Sequence, residues 1–73
     1  MIELEPNNSA AYVGRGAAYI YLKKYELAIK DLTRAVELNP NDSMAYYNRG
    51  ICYQAIHNNE KAQADFVKSK SLE

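Results

Sequence analysis

Residues 46–53 read Tyr46-Tyr47-Asn48-Arg49-Gly50-Ile51-Cys52-Tyr53, and 34 positions earlier the chain reads Tyr12-Val13-Gly14-Arg15-Gly16-Ala17-Ala18-Tyr19. Set against its own copy shifted by 34, the stretch from residue 1 to 39 returns 14 identities: Glu3, Leu4, Pro6, Asn7, Ser9, Ala11, Tyr12, Arg15, Gly16, Tyr19, Glu26, Ala28, Asp31 and Leu38 all recur. Self-similarity at one fixed period means a supersecondary unit that buries its apolar face on its neighbours.

Each unit reads as two helices. Pro6-Asn7-Asn8-Ser9 supplies a helix breaker followed by side chains that accept from free backbone N–H groups, so a helix is predicted from Ser9 to Leu22. Along it Tyr12, Gly16 and Tyr19 fall at i, i+4 and i+7, one stripe that is expected to face the core. Glycine inside a helix costs about 1 kcal/mol against alanine, so its recurrence at positions 16 and 50 suggests close approach of a partner helix.

Lys23-Lys24 is a turn, and a second helix is expected from Tyr25 to Leu38, with Ala28, Leu32 and Ala35 inward and Asn39-Pro40 ending it. Asn41-Asp42-Ser43 then caps a third helix to Ile56, His57-Asn58 turns, and a fourth runs from Asn59 to Leu72. Joints this short make consecutive helices antiparallel neighbours. Met1–Glu5 matches the end of the second helix and is expected to be a frayed last turn.

The pattern Tyr12-x-x-Arg15-Gly16-x-x-Tyr19, then Ala28-x-x-x-Leu32, then Pro40 resembles the tetratricopeptide repeat signature, and the second copy agrees with Tyr46-x-x-Arg49-Gly50-x-x-Tyr53 and Ala62-x-x-x-Phe66. Tyr stands for the usual Trp, Arg for the usual Leu, and Lys23 and His57 where a turn glycine is common. The resemblance implies an all-α fold: two antiparallel helix-turn-helix hairpins stacked as a short right-handed superhelical solenoid. One domain spans 1–73, with 1–8 as the tail of a preceding repeat, 9–42 as repeat one and 43–73 as repeat two.

The resemblance further implies a module that binds a peptide or helix of another protein in a concave groove made by the first helix of each repeat. That groove maps to Ala10, Val13, Ala17 and Ile20 beside Met44, Tyr47, Asn48, Ile51 and Gln54. Because Tyr12, Gly16 and Tyr19 already take the core side, Val13, Ile20, Tyr47 and Ile51 are expected on another, apolar side. The alternative use of that surface is self-association, since a short array leaves two unsealed ends. The family's carboxylate clamp for acidic chaperone tails is not carried, because its Lys and Asn positions fall on Val13 and Ala17 and only Asn48 matches.

Charge and cysteine usage narrow the partners. Nine Lys plus Arg balance nine Asp plus Glu, which removes the electrostatic footprint of a nucleic-acid or anionic-membrane binder. A single cysteine makes no internal disulfide and favours a cytoplasmic setting. No apolar run reaches a membrane span. A chain of 73 residues buries only about 60% of its unfolded surface, so support from neighbours or self-association is expected.

Few residues suggest chemistry. His57 is the one histidine and falls in a turn; Cys52 stands where repeat one has Ala18, beside the core stripe, and is expected to be a buried inert thiol. No ligand set has metal spacing, Gly14 and Gly16 lie in a helix rather than a phosphate loop, and no enzyme or cofactor is expected. Arg15 and Asp31 share the spacing of Arg49 and Asp65, one partner on each helix of a hairpin, so structural ion pairs are expected. Helix four carries Gln63, Ser69 and Lys70 where helix two has Ile29, Ala35 and Val36. That polarity reads as the solvated outer face of a terminal repeat, or as drift at partly exposed positions.

Overall fold

In the computed structural model, which describes residues 7–72, the Asn8 side chain accepts from the Ala11 N–H and starts α1, Ser9–Tyr21. The tail expected at Met1–Glu5 lies outside the described residues. α2 is Tyr25–Leu38, α3 is Ser43–Ala55 and α4 is Asn59–Ser71. Asp42 caps α3 by accepting from the N–H groups of Met44 and Ala45, and Asn58 caps α4 by accepting from Lys61. These short polar side chains satisfy donors that the first helical turn leaves free.

α1, α3 and α4 each end one residue before the sequence expectation, with Leu22, Ile56 and Leu72 as C-caps. At the two hairpin turns the reason is a left-handed residue just beyond the cap: Lys23 has φ 62 and His57 has φ 67. The Lys24 N–H donates to the Tyr19 carbonyl at 2.8 Å and the Lys23 N–H to Ile20 at 2.9 Å, and Asn58 and His57 repeat both bonds to Tyr53 and Gln54. These are paired Schellman closures, built here without the glycine that normally occupies the left-handed position.

α2 packs against α1 on one side and α3 on the other, while α4 lies against α3 and α1 also touches α3. All-α hairpin repeats therefore stack side by side, and the described residues extend 32 × 25 × 14 Å. A body whose thinnest dimension is 14 Å keeps every residue near a surface, which is why Leu32 and Cys52 are the only large side chains among the described residues that are fully buried.

Ala28, Leu32 and Ala35 are all buried on α2, on the inward side read from the sequence. Gly16 is buried against Leu32, and a Cβ placed there would sit 2.8 Å from Leu32 Cγ; Gly50 meets Phe66 Cε1 at 2.7 Å in the same way. The missing side chain is what lets each hairpin close. Tyr12 and Tyr19 are only half-buried, packing against the edges of the two core clusters. One polarity expectation is corrected: Ser69 is not on a solvated outer face but buried, its hydroxyl donating to the Ser43 carbonyl at 2.9 Å.

Candidate functional site

Each hairpin is crossed by a bidentate ion pair. Arg15 Nε and Nη2 both donate to the Asp31 carboxylate at 2.7 Å, and Arg49 Nε and Nη2 donate to Asp65 at 2.8 and 2.9 Å. The residues of each pair stand 16 apart in sequence, which lays one directly across from the other on antiparallel helices. Both carboxylates are buried. The side-chain hydrogen bond to its aspartate, ahead of every other influence, holds each guanidinium above its ordinary pKa, so both arginines stay charged.

The two sites differ in what covers them. Arg49 is 17% exposed, lies 5.6 Å from the Tyr46 ring centre and 5.8 Å from that of Tyr53, and donates through Nη1 to the Thr33 hydroxyl of α2 at 3.2 Å. Arg15 is 46% exposed and has one ring, Tyr19, at 5.9 Å. It lines an open depression of about 610 Å³ between α1 and α2.

The nine residues mapped to the concave groove do not form one open apolar trough. Ala10, Ala17, Met44, Tyr47 and Gln54 are exposed, whereas Val13, Ile20, Asn48 and Ile51 are half-buried. Val13 and Ile20 pack against a core cluster to which α3 contributes Cys52, and Val13 also reaches the cluster that holds Ala45. Their apolar character is therefore explained first by covering the α1–α3 contact. Tyr47, at the matching position of hairpin two, is 50% exposed and leans on Phe66, with ring centres 5.6 Å apart and planes tilted by 52°. Met44 beside it is 60% exposed, and the two border a depression of about 260 Å³ with Ser43 and Ser69.

A family model described as Tetratricopeptide repeat matches residues 9–42, and a second model of the same description matches residues 32–64. The chain belongs to the tetratricopeptide repeat family. No curated protein matches it at a meaningful level. Tetratricopeptide repeats are a non-catalytic helical scaffold and generally mediate protein–protein interaction.

Cys52 is fully buried, and desolvation pushes its thiol up to about 11, the opposite of an activated nucleophile. His57 is exposed in the turn. Among the described residues, no group of three or more His, Cys, Asp or Glu side chains gathers to hold a metal ion, and no helix is long and apolar enough to cross a membrane.

Two contributors escaped the sequence reading. Thr33 is the third partner of Arg49, and Ser69 ties α4 to the start of α3. Neither is shared between the repeats, since Val67 and Ala35 occupy the matching positions, so comparing the copies with each other hides both.

Proposed function

We propose that this chain is a protein–protein interaction module that holds an amphipathic helix or an apolar extended segment of a partner against the face shared by α1 and α3. The observation that carries the reading is the exposed pair Met44 and Tyr47, 60% and 50% open, with Ile51 and Asn48 half-buried beside them and Ala10, Ala17 and Gln54 free of the core. Met bends to fit irregular partners, and an exposed Tyr offers a rigid apolar plate with a polar tip. The function is binding rather than catalysis, with no nucleic acid and no membrane surface as partner, which the balanced charge supports. A buried free thiol supports a reducing, cytoplasmic setting.

A second copy of the chain is the competing occupant of the same surface. It is favoured by the position of Tyr47, whose counterpart Val13 packs on the core that α3 completes. One experiment separates the two readings. Peptides of about 12 to 20 residues are selected from a random library on the immobilised chain, and binding is compared with a Met44→Glu, Tyr47→Glu variant of unchanged helicity. Selected peptides should be amphipathic and lose at least about tenfold in affinity on the variant, the scale of removing one buried anchor. Peptides that bind the variant equally well sink the reading. A sedimentation profile that falls from dimer to monomer on the same substitutions reassigns the face to self-association.

A further inference from the structure

The two hairpin turns match in backbone but not in chemistry. Turn one and its flanks read Tyr21-Leu22-Lys23-Lys24-Tyr25-Glu26-Leu27, and the matching stretch of hairpin two reads Ala55-Ile56-His57-Asn58-Asn59-Glu60-Lys61. Both close with the same pair of backbone hydrogen bonds and a left-handed residue at the same place. The fold therefore accepts alanine for Tyr21, asparagine for Lys24 and lysine for Leu27, and closing a hairpin does not explain the residues of turn one. Nor does the core: Tyr21 is 88% exposed, and Leu22, Leu27 and Ile56 are exposed as well. Apolar side chains left open together at one end of a molecule mark an interaction surface.

Lys23, Lys24, Tyr25, Glu26, Leu27 and Ile56 line a depression of about 450 Å³ between turn one and the end of α3. Leu27 and Ile56 give it apolar walls, and Lys23 and Lys24 give it a cationic rim. Glu26 is the one acid of the lining, and among the described residues no ion pair uses either lysine. The described chain enters α1 and leaves α4 at the opposite end of the helices, roughly 20 Å away along a 13-residue helix.

We propose that this depression docks an acidic, apolar segment of a partner protein, with an aliphatic or aromatic side chain between Leu27 and Ile56 and an adjacent carboxylate against Lys23 and Lys24. Charge complementarity selects the occupant. A purely apolar segment would dry the edge of two ammonium groups without replacing their water, and a basic one would be repelled. A second copy presenting the same end is rejected on that ground, since its own lysines would face Lys23 and Lys24. A lipid surface is rejected by shape, because a concave site with Glu26 in its lining receives one side chain rather than a flat anionic sheet. Met44 and Tyr47 stand near the start of α3 and Ile56 at its end, so this surface is separate from the α1/α3 face and neither reading depends on the other.

The test uses the intact chain. Peptides from a random library are selected on the immobilised protein and rescreened on a Lys23→His, Lys24→Asn, Leu27→Lys variant of unchanged helicity, in which turn one carries the residues of turn two. Peptides that lose at least about tenfold on this variant should carry Asp or Glu beside Leu, Ile or Phe, and should weaken as salt rises. They should bind the Met44→Glu, Tyr47→Glu variant as tightly as the parent. Nuclear magnetic resonance with one such peptide should show saturable shifts of the Leu27 and Ile56 methyl groups, and the same peptide with its carboxylates replaced by amides should bind about tenfold more weakly. Selected peptides that all bind the turn variant equally, that lack acidic residues, or whose amide form binds as well as the acid overturn the proposal. Shifts confined to Met44 and Tyr47 overturn it too. Phosphatidylserine vesicles that shift the Leu27 and Ile56 methyl groups where no acidic peptide does would give the site to a lipid surface instead.

Discussion

Removing the Asp65 carboxylate strands a guanidinium that is 17% exposed, with two ring faces and one hydroxyl as its remaining company. Breaking a largely buried pair by deleting one charge costs about 3 to 5 kcal/mol, so Asp65→Ala is expected in that range by urea unfolding. Asp31→Ala should cost clearly less, about 1 to 2 kcal/mol, because Arg15 is 46% exposed and water replaces the lost partner. Replacing Arg49 and Asp65 together by apolar residues of similar volume should return most of the loss. Equal costs for the two aspartates would show that coverage by α2 has no part in the Arg49 site. Cys52 gives a pH-dependent prediction. Its thiol is neutral up to about 11 when folded but ionises near 9.0 when unfolded, so its share of the stability is whole below 9 and is lost as pH climbs through 11. The stability gap between the parent and Cys52→Ala should shrink across that window by roughly 2 to 3 kcal/mol. A gap that stays constant from pH 8 to 11 would place the thiol in contact with water.

At the scale of the helix, three glycines separate propensity from packing. A Cβ at Gly14 meets nothing within 4 Å, so Gly14→Ala should stabilise by about 0.5 to 1 kcal/mol. At Gly16 the same methyl meets fully buried Leu32 at 2.8 Å, and overpacking of about 1 to 3 kcal/mol outweighs the helical gain. Gly50→Ala should fall between, because half-buried Phe66 can swing outward from the 2.7 Å contact. Thermal melts rank the three, and a stabilising Gly16→Ala would contradict the close approach of α1 and α2. The turns add Lys23→Gly, which relieves a left-handed residue at φ 62 and should raise stability by about 1 kcal/mol. Much of this level was legible in the sequence. Asn8, Asp42 and Asn58 mark helix starts because a short acceptor beside free N–H groups is a local interaction. The arginines' partners follow from equal spacing across a hairpin. Val13 and Ile20 were misread for a physical reason: periodicity tells which side of a helix is apolar, but not which neighbour covers it. Thr33 was silent because its partner Arg49 lies on the next helix and Val67 stands at the matching position of the second repeat, so no repeated pattern points to the contact.

For the molecule as a whole, the distribution of buried residues orders the helices by local stability. α2 buries Ala28, Asp31, Leu32, Ala35 and Val36 and is flanked on both sides, α3 buries Ala45, Gly50 and Cys52, and α1 buries Gly16 alone. Exchange of backbone amides tracks the free energy of local opening, which is lowest where few apolar contacts hold an element. Amides of α2 around Leu32 should exchange most slowly and those of α1 most rapidly, with α3 and α4 between them, since α4 buries Ala62, Asp65 and Ser69. Concentration makes the measurement sharper. Association stabilises whichever face it covers by mass action. If the chain is monomeric, the ranking is independent of concentration. A ligand seated at Met44 and Tyr47 should lift protection in α3 and leave α2 as it was. Protection that rises in α3 with concentration of the chain alone would mean that a second copy, rather than a ligand, covers the face bearing Met44 and Tyr47.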